Sequence, residues 1–159
     1  MKAILPILGL AIALASCKKD KPLTANSITA NYNGVKHVFD LYADDTTTYA
    51  GVFPGEDVIM SGTDANDLSD ITLTLIQKGD TLVTTGAYPP AYSFFNLNIN
   101  GLHYGNPYKA IEPHPLIVTV TSISDATIDG VFDGDVYPHG GDTTQTPLLI
   151  TNGSFHFNR

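Results

Sequence analysis

The sequence predicts one all-β domain, a single antiparallel β-sandwich or, as the alternative, a strongly curved β-barrel. Apolar and polar residues alternate with a period of two, in short runs that recur about every 8–12 residues between Gly, Asn, Asp and Pro. No run beyond the N-terminal segment has the period of a helix. A chain of 159 residues has the length of about one domain, and 43% apolar with 15% charged residues excludes a disordered chain or a coiled coil.

The first segment has the pattern of a bacterial lipoprotein signal. Lys2 precedes an apolar run over residues 4–14, which is shorter than the roughly 20 residues that cross a bilayer. The following Ala15, Ser16 and Cys17 resemble the end of a lipobox, in which cleavage between Ser16 and Cys17 makes the Cys the first mature residue. An ordinary signal peptide with a chance Cys is the alternative, but the one Cys of the chain lies at the required place.

The chain is therefore divided into a signal peptide at residues 1–16, a lipidated Cys17 with a polar tether at residues 17–26, and a β domain at residues 27–159. One acyl chain anchors a protein only marginally, and a Cys acylated on its thiol and amine carries enough chains, palmitate among them, for stable anchoring. Lys18 replaces the Asp of enterobacterial inner-membrane retention signals, so we expect the outer membrane. The sequence does not distinguish the periplasmic face of the outer membrane from the cell surface.

Charge and cysteine content exclude several classes of function. With 8 Lys plus Arg against 16 Asp plus Glu, the formal net charge of −8 argues against nucleic-acid binding. A single Cys excludes an internal disulfide and a Cys-rich zinc or iron–sulfur site.

The first half of the β domain opens with a hairpin. Residues 27–32 and 35–42 flank Asn33-Gly34, the pair that suits a type I′ turn because both positions need positive φ. A short strand is predicted at residues 58–60 and a longer one at residues 70–77. Residues 64–69 between them are expected to form at most one helical turn.

The second half repeats this pattern. Residues 94–99 and 102–104 flank a second Asn-Gly pair, Asn100-Gly101. Strands follow at residues 116–121 and 128–136, and a last strand ends at Phe157. The residues predicted to point inward are Phe39, Leu41, Leu73, Leu75, Val118, Val120, Ile128, Phe132, Phe155 and Phe157.

The order of these motifs is similar to that of a known group. The motifs are Asn33-Gly34, Gly86-Ala87-Tyr88, and residues 59–62, 68–75, 118–123, 128–132 and 150–155. Their order resembles small Bacteroidota lipoproteins that carry a β-sandwich domain of unknown function. The resemblance covers roughly residues 27–157. The resemblance implies a β-sandwich fold and a location in the cell envelope, and it implies no catalytic residues.

No local motif indicates catalysis. A nucleophile elbow, a P-loop, a dinucleotide fingerprint and a His-Glu-x-x-His motif are all missing, so we predict that the protein is not an enzyme. A hydrolase with dispersed residues is the less favoured alternative.

The sequence also indicates no resident cofactor. The five His residues have no local zinc-ligand spacing, and His37 is expected at a sheet margin and His156 on an outer face. The acidic runs at residues 64–70 and 125–135 leave calcium as an alternative to solvated acidic faces.

The candidate binding residues lie in two loop segments rich in Tyr and Pro. Tyr88 and Tyr92 belong to the first segment, and Tyr104, Asn106 and Tyr108 belong to the second. Exposed Tyr rings stack on sugar faces, and Asn binds hydroxyl groups, so the sequence predicts a binding domain for a glycan or a peptide. Packing of these rings as a loop core is the alternative. A structural accessory of an envelope complex, with a protein partner and no small ligand, is the competing function.

Replacement of the lipidated residue tests the predicted anchor. The Cys17→Ser variant removes the thiol that receives the lipid, so we expect the protein to move from the membrane fraction to the soluble fraction. Fractionation and immunoblotting measure this shift. A variant that stays with the membrane contradicts the lipid anchor.

Overall fold

The computed structural model describes residues 26–41, 58–66, 68–76 and 83–158. These residues form ten strands and one short turn, α1 (Pro138–Gly141), whose φ angles at His139 and Gly140 are not helical. The strands are β1 (Ser27–Tyr32), β2 (Val35–Leu41), β3 (Val58–Thr63), β4 (Asp70–Leu75), β5 (Gly86–Tyr88), β6 (Ser93–Ile99), β7 (Leu102–Gly105), β8 (Ile117–Ile123), β9 (Thr127–Tyr137) and β10 (Leu148–Asn158). The predicted signal peptide and Cys17 lie outside the described residues.

Eight strands form a closed antiparallel barrel, which is the barrel alternative of the predicted fold. β1, β2, β3, β4, β6, β7, β9 and β10 pair in chain order, and β10 also pairs with β1. β8 pairs with β9 beside this circuit, and β5 pairs with β8. Alternation of residues is the same in a sandwich and in a barrel, so the sequence pattern does not distinguish them.

The connections of the barrel lie at two rims. In an up-and-down barrel, successive connections alternate between the two ends. Asn33-Gly34, residues 64–69 and Asn100-Gly101 lie at one end, which we call the hairpin rim. The other end, where β1 begins after Asn26, we call the N-terminal rim. The segment between β4 and β6 belongs to the N-terminal rim, whereas Asn106 and Pro107, which follow β7, pack against α1 between β9 and β10.

Both Asn-Gly hairpins are confirmed. Asn33 and Gly34 have φ angles of 52° and 76°, and Asn100 and Gly101 have 52° and 85°. These positive values are those that a type I′ turn requires. Residues 64–69 form a loop in their described part, in which the N–H of Leu68 donates to the carbonyl of Asp64 and the N–H of Asp64 donates to the carbonyl of Ser69, at 2.9 Å each. This single turn does not exceed the one turn that the sequence predicts.

The barrel interior is filled by side chains. Nine of the ten residues predicted to point inward are buried, and the side chain of Leu41 lies outside the description. Phe132 of β9 packs against Phe95 of β6 with 5.5 Å between ring centroids. The interior of an eight-stranded barrel is just wide enough for side chains to fill it, so the core leaves the outer wall and the rims for binding.

Two glycines permit close approach to β9. Gly134 has φ +133°, and a Cβ atom there would lie 2.5 Å from the carbonyl oxygen of Pro115. A Cβ atom at Gly153 of β10 would lie 2.5 Å from the ring of Phe132. Both positions therefore require glycine, because any side chain would clash with the neighbouring atoms.

Truncation of a core ring tests the register of β9. Phe132 is 1% exposed and its neighbour Val131 is 46% exposed. We expect Phe132→Ala to lower the free energy of unfolding by ~3–5 kcal/mol, because it leaves a cavity in the core. The matched Val131→Ala variant should change it by no more than about 0.5 kcal/mol. Urea unfolding of residues 18–159 measures both. Equal effects would contradict the assigned faces of β9.

Candidate functional site

A groove of about 430 Å³ lies on the outer wall between β9 and β10. This volume falls within the range of small-ligand sites. Its lining residues are Val131, Phe132, Asp133, Thr151, Asn152, Gly153 and Ser154.

A β-bulge in β10 produces the groove. Ile150 pairs with Gly134 and Gly153 pairs with Phe132, so Thr151 and Asn152 together face the single residue Asp133. Asn152 has φ 50°, in the left-handed region that Asn adopts more readily than most side chains. An extra residue of this kind interrupts the ladder and bends the strand locally, and bulges are frequent next to functional sites on sheets.

The groove offers a compact set of polar groups. Asp133 and Asn152 are exposed, and Thr151 and Ser154 are half-buried. The hydroxyl of Ser154 is hydrogen-bonded to that of Thr29 at 2.8 Å, which fixes its position. Acceptors on Asp133 and donors and acceptors on Asn152 and Thr151 can bind hydroxyl or amino groups of a ligand.

A Ser, a His and an Asp lie in one cross-strand row next to the groove. Ser27 of β1 pairs with His156 of β10, which pairs with Asp129 of β9. His156 Nδ1 lies 2.5 Å from Asp129 Oδ1, the contact that orients the His of a catalytic triad. The Oγ atom of Ser27, however, is buried and has no hydrogen-bond partner in the described structure. A substrate does not reach this hydroxyl, so the row lacks an accessible nucleophile.

A second His–carboxylate pair lies at the hairpin rim. His37 Nδ1 lies 3.2 Å from Asp64 Oδ2, and the His37 ring stacks on Tyr32 with 3.7 Å between centroids. The hydroxyl of Tyr32 donates to Ser69 Oγ at 3.3 Å. His37 therefore lies at the margin of the sheet, as predicted, where it ties the β3–β4 loop to the β1–β2 hairpin.

Asp64 is held as a carboxylate. Burial raises the pKa of Asp64, but hydrogen bonds from the backbone N–H and side-chain amide of Asn66, and the hydrogen bond and charge of His37, lower that pKa to below its ordinary value. The two Asn66 contacts are 2.8 Å each.

The candidate binding residues separate into buried and exposed groups. Tyr88 is 2% exposed, and its hydroxyl donates to the carbonyl of Thr84 at 3.0 Å and accepts from the N–H of Thr84 at 2.8 Å. Asn106 is also buried: it accepts from the N–H of Phe95 at 2.6 Å and donates to the carbonyl of Ser93 at 2.9 Å. Both residues hold loops together, as the loop-core alternative expects.

The other three tyrosines differ in accessibility. Tyr104 pairs with the inward-facing Leu97 and packs against the core. Tyr92 and Tyr108 are exposed. Tyr92 lies just before β6 and Tyr108 lies three residues after β7, and Phe94, which the prediction did not include, is exposed on β6 near Tyr92.

Both His–carboxylate pairs were missed by the sequence analysis. The contact between His156 and Asp129 requires the β9–β10 register across a bulge, and that between His37 and Asp64 joins two hairpins. Across the described ranges, no three His, Cys, Asp or Glu side chains come together as a metal site. Asp129, Asp133 and Asp135 lie along the outer face of β9.

Comparisons with protein-family models, with curated proteins and with solved structures found no match. Among the described residues there is no helix with the length and apolar character needed to cross a membrane.

Acid unfolding tests the role of Asp64. Because its folded-state pKa lies below the ordinary value of 3.8, its charge stabilises the fold above that pH, and this stabilisation is lost as the pH falls through the folded-state pKa. We expect Asp64→Asn to be less stable than the wild type at neutral pH, with the difference shrinking from about pH 5 towards pH 2.

Urea midpoints across this pH range give the measurement. The matched control is Asp125→Asn, at an exposed aspartate between β8 and β9, and it should follow the wild-type curve. A constant difference between wild type and Asp64→Asn at all pH values would contradict the assignment.

Proposed function

We propose that this protein is a lipid-anchored lipoprotein of the outer membrane whose barrel binds a glycan segment in the β9–β10 groove without catalysing a reaction. The anchor rests on the lipobox-like residues that end at Cys17, and the resemblance to Bacteroidota lipoproteins supports the same location. The bulge groove is the observation that carries the binding function.

The lining of the groove favours a ligand rich in hydroxyl groups. Asp133 and Asn152 each present oxygen atoms at the mouth, and an Asp–Asn pair can bind two neighbouring hydroxyl groups of one sugar ring. The exposed Val131 supplies a small apolar contact for the face of that ring. The lining combines these polar groups with apolar surface, which suits the hydroxyl groups and the carbon face of a sugar ring.

The state of Ser27 supports a binding function rather than hydrolysis. A serine nucleophile has to contact both its base and the substrate. Ser27 Oγ contacts neither solvent nor the ring nitrogen of His156 within hydrogen-bond distance. The His156–Asp129 pair instead joins β9 to β10 beside the groove.

Two substitutions test the groove. Asp133→Ala removes the charged acceptor, and we expect it to weaken glycan binding about 10- to 100-fold, because a hydrogen bond to a charged group contributes ~1.5–3 kcal/mol. Asn152→Gly removes the amide but allows the positive φ of the bulge, so it should reduce affinity and keep the fold.

A glycan array with the wild type identifies the ligand, and titration of that ligand compares the variants. Asp125→Ala, outside the groove, should bind as the wild type does. Unchanged affinity in both groove variants contradicts the assigned site. If the protein binds a peptide and no glycan, and the groove variants weaken that binding, the site is correct and the ligand is a peptide.

A further inference from the structure

A row of polar side chains continues from the groove across the neighbouring strands of the outer wall. Asp133 of β9 faces Thr151 and Asn152 of β10, and Thr151 pairs with Asn31 of β1. Asn31 in turn pairs with Lys36 of β2. Asp133, Asn152 and Lys36 are exposed, and Thr151 and Asn31 are half-buried. These five residues are here called the polar row.

The polar row has opposite charges at its two ends. Asp133 ends the row on β9, and Lys36 ends it on β2. Adjacent strands lie about 4.8 Å apart, so three strand spacings separate the Cα atoms of the two residues by about 14 Å. The ion pairs among the described residues all involve a histidine, and none includes Asp133 or Lys36. Both charges are therefore available to a ligand.

Lys36 is one of few basic residues on the barrel. The formal net charge of the chain is −8, and Lys36 and Lys109 are the Lys or Arg residues within the described ranges. Most of such a surface repels an anionic ligand, so Lys36 offers a carboxylate a local partner. Its cross-strand partner Asn31 lies between Ala30 and Tyr32 of the core and points outward. Lys36 points outward with Asn31, because directly paired residues share a face.

A second row beside the polar row gives each charge an apolar neighbour. Val131 lies two residues from Asp133 on β9, about 7 Å along the strand. Val38 lies at the same spacing from Lys36 on β2. Val131 and Val38 are 46% and 41% exposed, and two small side chains whose hydroxyl groups are hydrogen-bonded at 2.8 Å lie between them. The wall thus has two subsites of similar construction and opposite charge.

We propose that the ligand of the groove is a glycan segment that carries both a free amine and a carboxylate, with the amine at Asp133 and the carboxylate at Lys36. At each end a sugar ring rests its carbon face on a valine and directs its charged group to the neighbouring Asp or Lys. Asn152, Thr151 and Asn31 bind the hydroxyl groups between these rings. Complementary charges of this kind distinguish glycans of similar shape and fix the direction of the chain. This inference rests on the glycan function proposed above.

Four sets of oligosaccharides test the charge selectivity. De-N-acetylated hyaluronan fragments carry an amine and a carboxylate, hyaluronan fragments carry the carboxylate alone, chitosan fragments carry the amine alone, and N-acetylated chitin fragments are uncharged. Calorimetric titration uses the full chain in detergent at mildly acidic pH, where the amine is protonated and the carboxylate is ionised. We expect the fragment with both charges to bind about 10-fold more tightly than the uncharged fragment, because each exposed charge pair contributes about threefold. Added salt should reduce this difference.

Two variants assign the charges to their residues. Asp133→Asn keeps hydrogen-bonding atoms but removes the charge, so it should weaken binding of the amine-bearing fragments about threefold and should not weaken binding of hyaluronan. Lys36→Gln should weaken binding of the carboxylate-bearing fragments and should not weaken binding of chitosan. The matched control Lys109→Gln removes a Lys outside the row and should bind as the wild type does. Thermal melts confirm that each variant is folded.

The outcomes separate this inference from the proposed function. Equal affinities for all four fragments, lowered together in Asp133→Ala, leave glycan binding in the groove and overturn the charge selectivity. Equal losses in Lys36→Gln and Lys109→Gln overturn the carboxylate subsite. If the glycan array yields a ligand that lacks one of the two charges, the groove stands and this inference fails. If neither the array nor the four fragments show binding, the glycan function fails and the inference fails with it.

Discussion

The whole molecule depends on β10, which hydrogen-bonds to both β9 and β1. This strand joins the last part of the chain to the first and converts a meander of strands into a closed barrel. Closure removes two free edges that would otherwise expose unpaired N–H and carbonyl groups, and it encloses the apolar side chains without a second sheet. The pairing of β10 with β1 joins residues more than a hundred positions apart in sequence, so it forms at a high cost in loop entropy. Core burial has to compensate for that cost.

The same strand carries the irregularity that creates the groove. β10 pairs along two neighbours at once, and one extra residue near Asn152 shifts its register against both. The wall bends at that point, and the neighbouring polar side chains form a concave surface. A regular β10 would give a flatter and more featureless wall. Closure and candidate binding site are thus two properties of one strand, and a change in the bulge affects both.

Much of the fold follows from residue alternation, and little of the site does. The two Asn-Gly pairs and inward residues such as Leu73 and Phe132 were predictable, because turn chemistry and period-two burial are local properties. Closure of β10 on β1 was not, because the same alternation suits a sandwich. Tyr88 and Asn106 lie in segments with loop composition, and only tertiary contacts show that their polar atoms are used within the fold. The contact of Asp129 with His156 likewise needed the register across the bulge.

The hydrogen bonds between Asn26 and Asn158 place the two ends of the barrel's chain side by side. A short peptide linker can therefore join these ends without crossing the wall. The chain could then be opened at Asn100-Gly101, a surface turn with few contacts, to give a circular permutant with the same strand order around the barrel. In such a permutant the new termini emerge at the hairpin rim, so that an attached cargo would leave the barrel on the side away from the native N-terminal rim.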